Sequence, residues 1–157
     1  INADRFGRGC FFRPKISMPG INTRFIELNT KGRTDIIDLT GRVQEIVTAD
    51  GAQEGNVLVF AVGSTAAVTT IEFEPGLVKT DLVRWFEKLA PYGEEYAHHN
   101  TWGDDNGAAH LRASLVGPSL MVPFSRGRLL LGTWQQIVLI DFDTRPRARR
   151  VAVQITA

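Results

Sequence analysis

Apolar and polar positions change their period along this chain, and the changes mark its elements. Residues 24–28 read as a short strand, and residues 29–33 as a turn through Gly32, with Ile36 and Ile37 continuing a hairpin. Thr40 is placed to cap a helix reaching about Ala49, whose stripe is Leu39, Val43, Ile46 and Val47. Asp50-Gly51 ends that helix. Residues 57–62, VLVFAV, are continuously apolar, the pattern of a strand covered on both faces. After Gly63-Ser64-Thr65 a second strand, rich in β-branched residues, runs over 66–73. Pro75-Gly76 then leads into a helix over 77–89, with Val78, Leu82, Trp85, Phe86 and Leu89 at helical spacing and Pro91 and Gly93 beyond it.

Residues 119–124 read as a strand whose Pro123 requires an edge or a bulge. Residues 125–128 form a hairpin turn, and residues 129–142 read as one long strand apolar on both faces. Burial of both faces requires helices, a second sheet or another subunit. Residues 143–147 turn, and an alternating strand over 149–156 puts Val151, Val153 and Ile155 on one side. Strands and helices are mixed and several connections are hairpins, so the class is α+β with a mainly antiparallel sheet or sandwich. Residues 18–157 form one domain. Residues 1–17 show no periodicity and are read as an extension or cloning remnant, or as an arm docking on a neighbouring subunit.

Composition narrows the function little. With 157 residues and a hydrophobic fraction of 43%, the chain can bury a substantial single core. A formal charge of +1 creates no field that would gather nucleic acid or membrane. No Walker loop, dinucleotide fingerprint or nucleic-acid motif is present. No apolar run spans a bilayer, and the single cysteine, Cys10, cannot form an internal disulfide. The expectation is a cytoplasmic protein.

Candidate chemistry gathers between Tyr96 and Gly117, which holds all three histidines. In extended backbone His98 and His99 point to opposite faces, so one of them enters a given pocket. His110 follows His98 by 12 positions, a separation that requires the intervening Gly103–Asp104–Asp105–Asn106–Gly107 loop to fold back. Asp105 or Asn106 equally suits the cap of the helix carrying His110. Ser64 and Thr65 can face a pocket or shape a turn. Glu72 ends an apolar strand, where a carboxylate is solvated, paired or functional. Asp81 near the start of its helix fits the helix dipole. Gly132-Thr133-Trp134-Gln135-Gln136 puts polar groups in an apolar run, either for a ligand or for a subunit interface. Arg145, Arg147, Arg149 and Arg150 cluster locally, though alternation separates Arg149 from Arg150.

Together, several segments resemble the YjbQ-like family. They are Gly63-Ser64-Thr65-Ala66-Ala67 with Glu72, Tyr96-Ala97-His98, residues 107–111, Leu115-Val116-Gly117-Pro118-Ser119, and GRLLLGTWQ at 127–135. The resemblance runs from about Thr23 to the C-terminus. It implies a YjbQ-like fold, a mainly antiparallel β-sandwich with two to three helices, assembled as a homotrimer. It further implies an activity like secondary thiamine-phosphate synthase, a transferase that joins hydroxymethylpyrimidine pyrophosphate to thiazole phosphate and releases pyrophosphate. His98, His110 and Glu72 would then be the catalytic group. Ser64, Thr65, Asp105, Asn106, Arg112, Arg128, Trp134 and Gln135 would meet the phosphorylated substrates. A divalent metal, Mg²⁺ or Zn²⁺, would sit on His98, His110 and Glu72, or on Glu72, Asp81 and Asp105. Many members carry a histidine where this chain has Gly63, which removes one metal ligand. The competing readings are a non-catalytic trimer that binds a small anion or acts as a scaffold, and a metal-assisted hydrolase.

Overall fold

The computed structural model describes residues 20–157; the extension or docking arm expected over 1–17 lies outside them. The strands are β1 (Ile21–Thr30), β2 (Asp35–Asp38), β3 (Glu54–Ala61), β4 (Ala66–Ile71), β5 (Ser119–Ser125), β6 (Arg128–Leu129), β7 (Gln136–Asp141) and β8 (Arg147–Thr156). The helices are α1 (Thr40–Asp50), α2 (Leu82–Leu89), α3 (Ala97–Trp102) and α4 (Gly107–Val116). A five-stranded antiparallel sheet has the order β1-β8-β3-β5-β6, and a three-stranded one the order β2-β7-β4. The α+β class and the antiparallel sandwich hold, with four α-helices among the described residues where the resemblance implies two to three.

Alternation builds two cores. Val151, Val153 and Ile155 turn inward from β8 and meet Val57, Val59, Ile26, Val122 and Phe124 of the same sheet. Leu39, Val43 and Val47 of the first helical stripe close over them, and Ile137 and Leu139 arrive from β7. The other face of β7, Val138 and Ile140, packs with Ala67, Phe86, Ala109, Ala113 and Phe142. The three-stranded sheet is therefore a middle layer, which is why β7 is apolar on both faces.

Several expected elements differ, each for a local reason. The long strand over 129–142 is broken. The Gly132 N–H donates to Gln135 Oε1 at 3.1 Å and the Gln135 N–H to the Gly132 carbonyl at 3.0 Å, a turn that carries the chain from one sheet to the other. Ile36 and Ile37 do not extend a hairpin, because β2 pairs with β7 while β1 pairs with β8. The strand over 57–62 is covered on one face only: Val57 and Val59 are buried, whereas Phe60 and Val62 reach solvent. The strand from Ala66 stops at Ile71, and the helix from Leu77 opens as a π-helical turn over Leu77–Asp81. Thr40 is not the cap of α1. It is the first helical residue, and its hydroxyl instead accepts the Ile137 N–H at 2.9 Å, fastening α1 to β7. Pro123 does lie where β5 is an edge, since β6 covers only Phe124 and Ser125. No described helix is long and apolar enough to cross a membrane.

Candidate functional site

The loop between α3 and α4 folds back and brings His98 against His110, with ring centroids 4.5 Å apart and planes at 61°. Both rings are half-buried. His98 Nε2 stands 3.5 Å from Asp104 Oδ2. Asn106, with its amide nitrogen turned toward these acceptors, is 3.2 Å from His98 Nε2 and 3.1 Å from Asp104 Oδ2. Burial and the neighbouring His98 charge hold the His110 pKa below the ordinary 6.5, against the opposing pull of Asp104, the Ser64 backbone and Asp143. The lowered pKa favours the neutral imidazole, which donates from one nitrogen and accepts at the other.

His99 does something else. All of 97–102 is helical, so His98 and His99 diverge by a helical step of about 100° rather than pointing to opposite faces of extended backbone. His99 Nε2 accepts the Gly107 N–H at 3.1 Å and its ring packs edge-on against Tyr96 at 5.5 Å. A histidine from the preceding helix therefore satisfies a first-turn N–H of α4, the service expected of Asp105 or Asn106. Asn106 occupies the cap position without a side-chain cap bond, and Asp105 accepts from the Thr144 hydroxyl at 2.7 Å. Gly107 is required there: a Cβ would lie 2.6 Å from Tyr96 Cβ.

Behind the histidines lies a buried ionic network that the sequence pattern did not reveal. Asp141 is fully buried and accepts Arg149 Nη2 on Oδ1 at 2.6 Å and Nε on Oδ2 at 2.7 Å, as well as the Thr30 hydroxyl. Thr65, also buried, donates its hydroxyl to Asp143 Oδ2 at 2.9 Å and receives Arg149 Nη2 at 2.7 Å. Asp143 pairs with Arg147 through Nε at 3.0 Å and Nη2 at 3.1 Å. Burial alone would raise the Asp143 pKa. The hydrogen bonds from Arg147 and Thr65, the Arg147 charge and the Arg145 amide outweigh it and hold the pKa below 3.8. The available signal was two acids at the end of a buried strand followed by arginines at alternate positions: Arg147 and Arg149 share a face, and Arg150 lies on the other, over the Phe25 ring.

Other expected site residues lie elsewhere. Arg112 is fully buried and committed: Nε donates to the Ala90 carbonyl at 2.9 Å, Nη1 to Thr34 at 3.0 Å and Nη2 to Glu87 at 2.6 Å, with the guanidinium 3.8 Å from the Tyr92 ring centroid. It holds α2, α4 and the β1–β2 connection together, and with all three nitrogens engaged and no exposed surface it is closed to a phosphate. Glu72 is exposed beyond the far end of β4. Ala66 pairs with Asp141 and Ile71 with Gln136, so about 3.3 Å per residue separates Thr65 from Glu72 by roughly 20 Å. Gln135, bonded to Thr70 at 2.9 Å, belongs to that far end, with Trp134 exposed beside it. Arg128 is exposed on the β5–β6 hairpin near Glu54, the opposite end of β3 from Gly63. Asp81 closes the π-helical turn.

The metal set implied by the resemblance does not fit this chain. Glu72 stands apart from His98 and His110, position 63 is glycine, and among the described residues no three His, Cys, Asp or Glu side chains converge as an ion site. The residues that do converge are His98, His110, Asp104, Asn106 and the Ser64 backbone, with Thr65, Asp143 and Arg149 behind them. A cleft of about 380 Å³ lined by Arg33, Tyr92, Glu94, His99, Asp105 and Thr144 opens on the His99 side of α3.

A two-sheet α+β domain with paired histidines at one end of its middle layer defines the class. The family model described as UPF0047 protein YjbQ-like matches residues 24–157. The chain belongs to that family. A UPF0047 protein of Archaeoglobus fulgidus is 43% identical over 129 residues, covering 82% of this chain and 97% of the relative. The UPF0047 protein YugU of Bacillus subtilis is 34% identical, covering 83% and 96%. A crystal structure from Sulfolobus solfataricus, described as a YbjQ-like protein of unknown function, superposes with a TM-score of 0.77 at 30% identity, covering 88% and 99%. A hypothetical protein of Aeropyrum pernix gives 0.78 at 34%, covering 87% and 98%.

Proposed function

We propose that this chain is a transferase acting on small phosphorylated substrates, with an activity like secondary thiamine-phosphate synthase. The observation that carries the reading is the 4.5 Å approach of His98 and His110, with the His110 pKa lowered so that the neutral imidazole is favoured. In the reaction the thiazole nitrogen forms a bond to the pyrimidine methylene carbon. The methylene C–O bond breaks and its electron pair leaves on pyrophosphate. A leaving group of that charge requires donors in the transition state. The neutral His110 imidazole supplies one N–H, and His98, fixed by Asp104 and Asn106, supplies or takes up a proton beside it. No step is assigned to a metal.

A second reading, a small-anion-binding trimer without catalysis, is favoured by the distance of Glu72, Trp134, Gln135 and Arg128 from the histidines within one chain. Either reading includes a homotrimer in the cytoplasm. Support for assembly is the open outer face of the five-stranded sheet, where Phe25, Ala152 and Phe60 align across three strands and Met121 is exposed.

The test is incubation with both precursors and Mg²⁺, with thiamine phosphate followed by chromatography. His110→Ala and His98→Ala should each lower turnover by about 100-fold or more. Turnover unchanged in both variants would overturn the role of the pair. Saturable substrate binding with no product would favour the binder.

A further inference from the structure

Gly63 stands between the two halves of the site. On one side is Ser64, whose backbone is near enough to His110 to act on its pKa. On the other is Arg149, whose side chain is only 11% exposed and whose guanidinium is used unevenly. Nε and Nη2 are taken by Asp141, and Nη2 also meets Thr65. Nη1 donates to no described residue. No buried side-chain nitrogen or oxygen of the described chain lacks a partner, so Nη1 reaches solvent. It does so at Gly63, where a Cβ would lie 3.2 Å from Nη1. Glycine leaves a notch over the one edge of a nearly buried guanidinium that has no partner among the described residues.

We propose that this notch is the phosphoryl subsite: Arg149 Nη1 donates to an oxygen of a phosphate or pyrophosphate group whose reacting end lies toward His110. The proposal rests on the His98–His110 pair being the site and names the chemistry of its ligand. The two-pronged contact with Asp141 fixes the guanidinium plane, so little side-chain freedom remains to be lost on binding. Asp141 is balanced by Arg149 and Asp143 by Arg147, so an arriving anion meets no uncompensated carboxylate in the network. A charged donor to a phosphoryl oxygen makes a short, strong hydrogen bond. A divalent cation in the same notch would instead face the guanidinium charge.

The test uses the whole chain in EDTA, titrated with inorganic phosphate and then pyrophosphate, against sodium chloride at matched ionic strength. Nitrogen–proton NMR reads the Gly63 and Ser64 amides, the Arg149 guanidinium, and the His98 and His110 rings. Saturable shifts at Gly63, Ser64 and Arg149 are expected from phosphate and not from chloride. Shifts confined to the histidine rings would overturn the subsite and leave the histidine site standing. No saturable shift at any of these groups would overturn the subsite, while the precursor assay separately decides the synthase reading. Gly63→His, which fills the notch, and Arg149→Lys, which keeps the charge but withdraws Nη1, should each weaken phosphate at least about tenfold. Undiminished affinity in a folded variant of either kind overturns the proposal, and if neither folds the wild-type titration decides it.

Discussion

Asp141 and Arg149, joined across the β7–β8 turn, form a two-pronged ion pair at 2.6 and 2.7 Å with the carboxylate fully buried. Removing one partner leaves the other charge in a poorly solvated place. Asp141→Asn is expected to cost about 3 kcal/mol or more in urea unfolding, well beyond the loss of a surface pair.

Asp143 makes the fold acid-sensitive. Its folded pKa lies below 3.8, so the native state binds its proton less readily than the unfolded chain. The resulting stability is fully present above that unfolded value and is lost as pH falls through the lower folded value. Arg147→Met removes the principal opposing partner. Acid unfolding of that variant should begin at higher pH than in the parent, as read by far-UV circular dichroism.

His110 titrates below 6.5. The sign is the same: its contribution is complete above 6.5 and is lost as pH falls through the depressed folded value. Its neighbours act in opposite directions. His98→Ala should raise the His110 pKa and Asp104→Asn should lower it, both followed by proton NMR of the imidazole ring. Equal values in both variants would show that the three groups do not interact.

Arg112 tests structure against phosphate recognition. Arg112→Met should lose about 3 kcal/mol, toward the lower end for a buried pair because the Glu87 side chain is 46% exposed and regains water. Arg112→Lys should recover little of this, since an ammonium cannot serve Ala90, Thr34 and Glu87 together over the Tyr92 ring. Phosphate affinity of any folded Arg112 variant should match the parent by calorimetry.

Gly107→Ala should destabilise by roughly 1–3 kcal/mol, because its Cβ meets Tyr96 in a packed contact. Denaturant unfolding measures the cost. Loss of the His99 contact to the Gly107 N–H should appear as faster hydrogen exchange at that amide.

By itself the sequence determined the strands whose side chains alternate, the helical stripes of α1 and α2, the β5–β6 turn and the α+β class. These are local regularities, because a period of two or of 3.6 follows from backbone geometry wherever one face is buried. It also located the histidine stretch and, through residue patterns, the family. Tertiary structure decided which sheet each strand joined, since β1 and β2 are sequence neighbours but pair with different partners. It sent Arg112 inward and left Glu72 roughly 20 Å along β4 from Thr65. It made His99 a helix-end acceptor, and it joined Asp141, Asp143 and Thr65 to Arg147 and Arg149. Those assignments depend on contacts between residues far apart in the chain, such as Thr65 with Asp143, which no local period encodes.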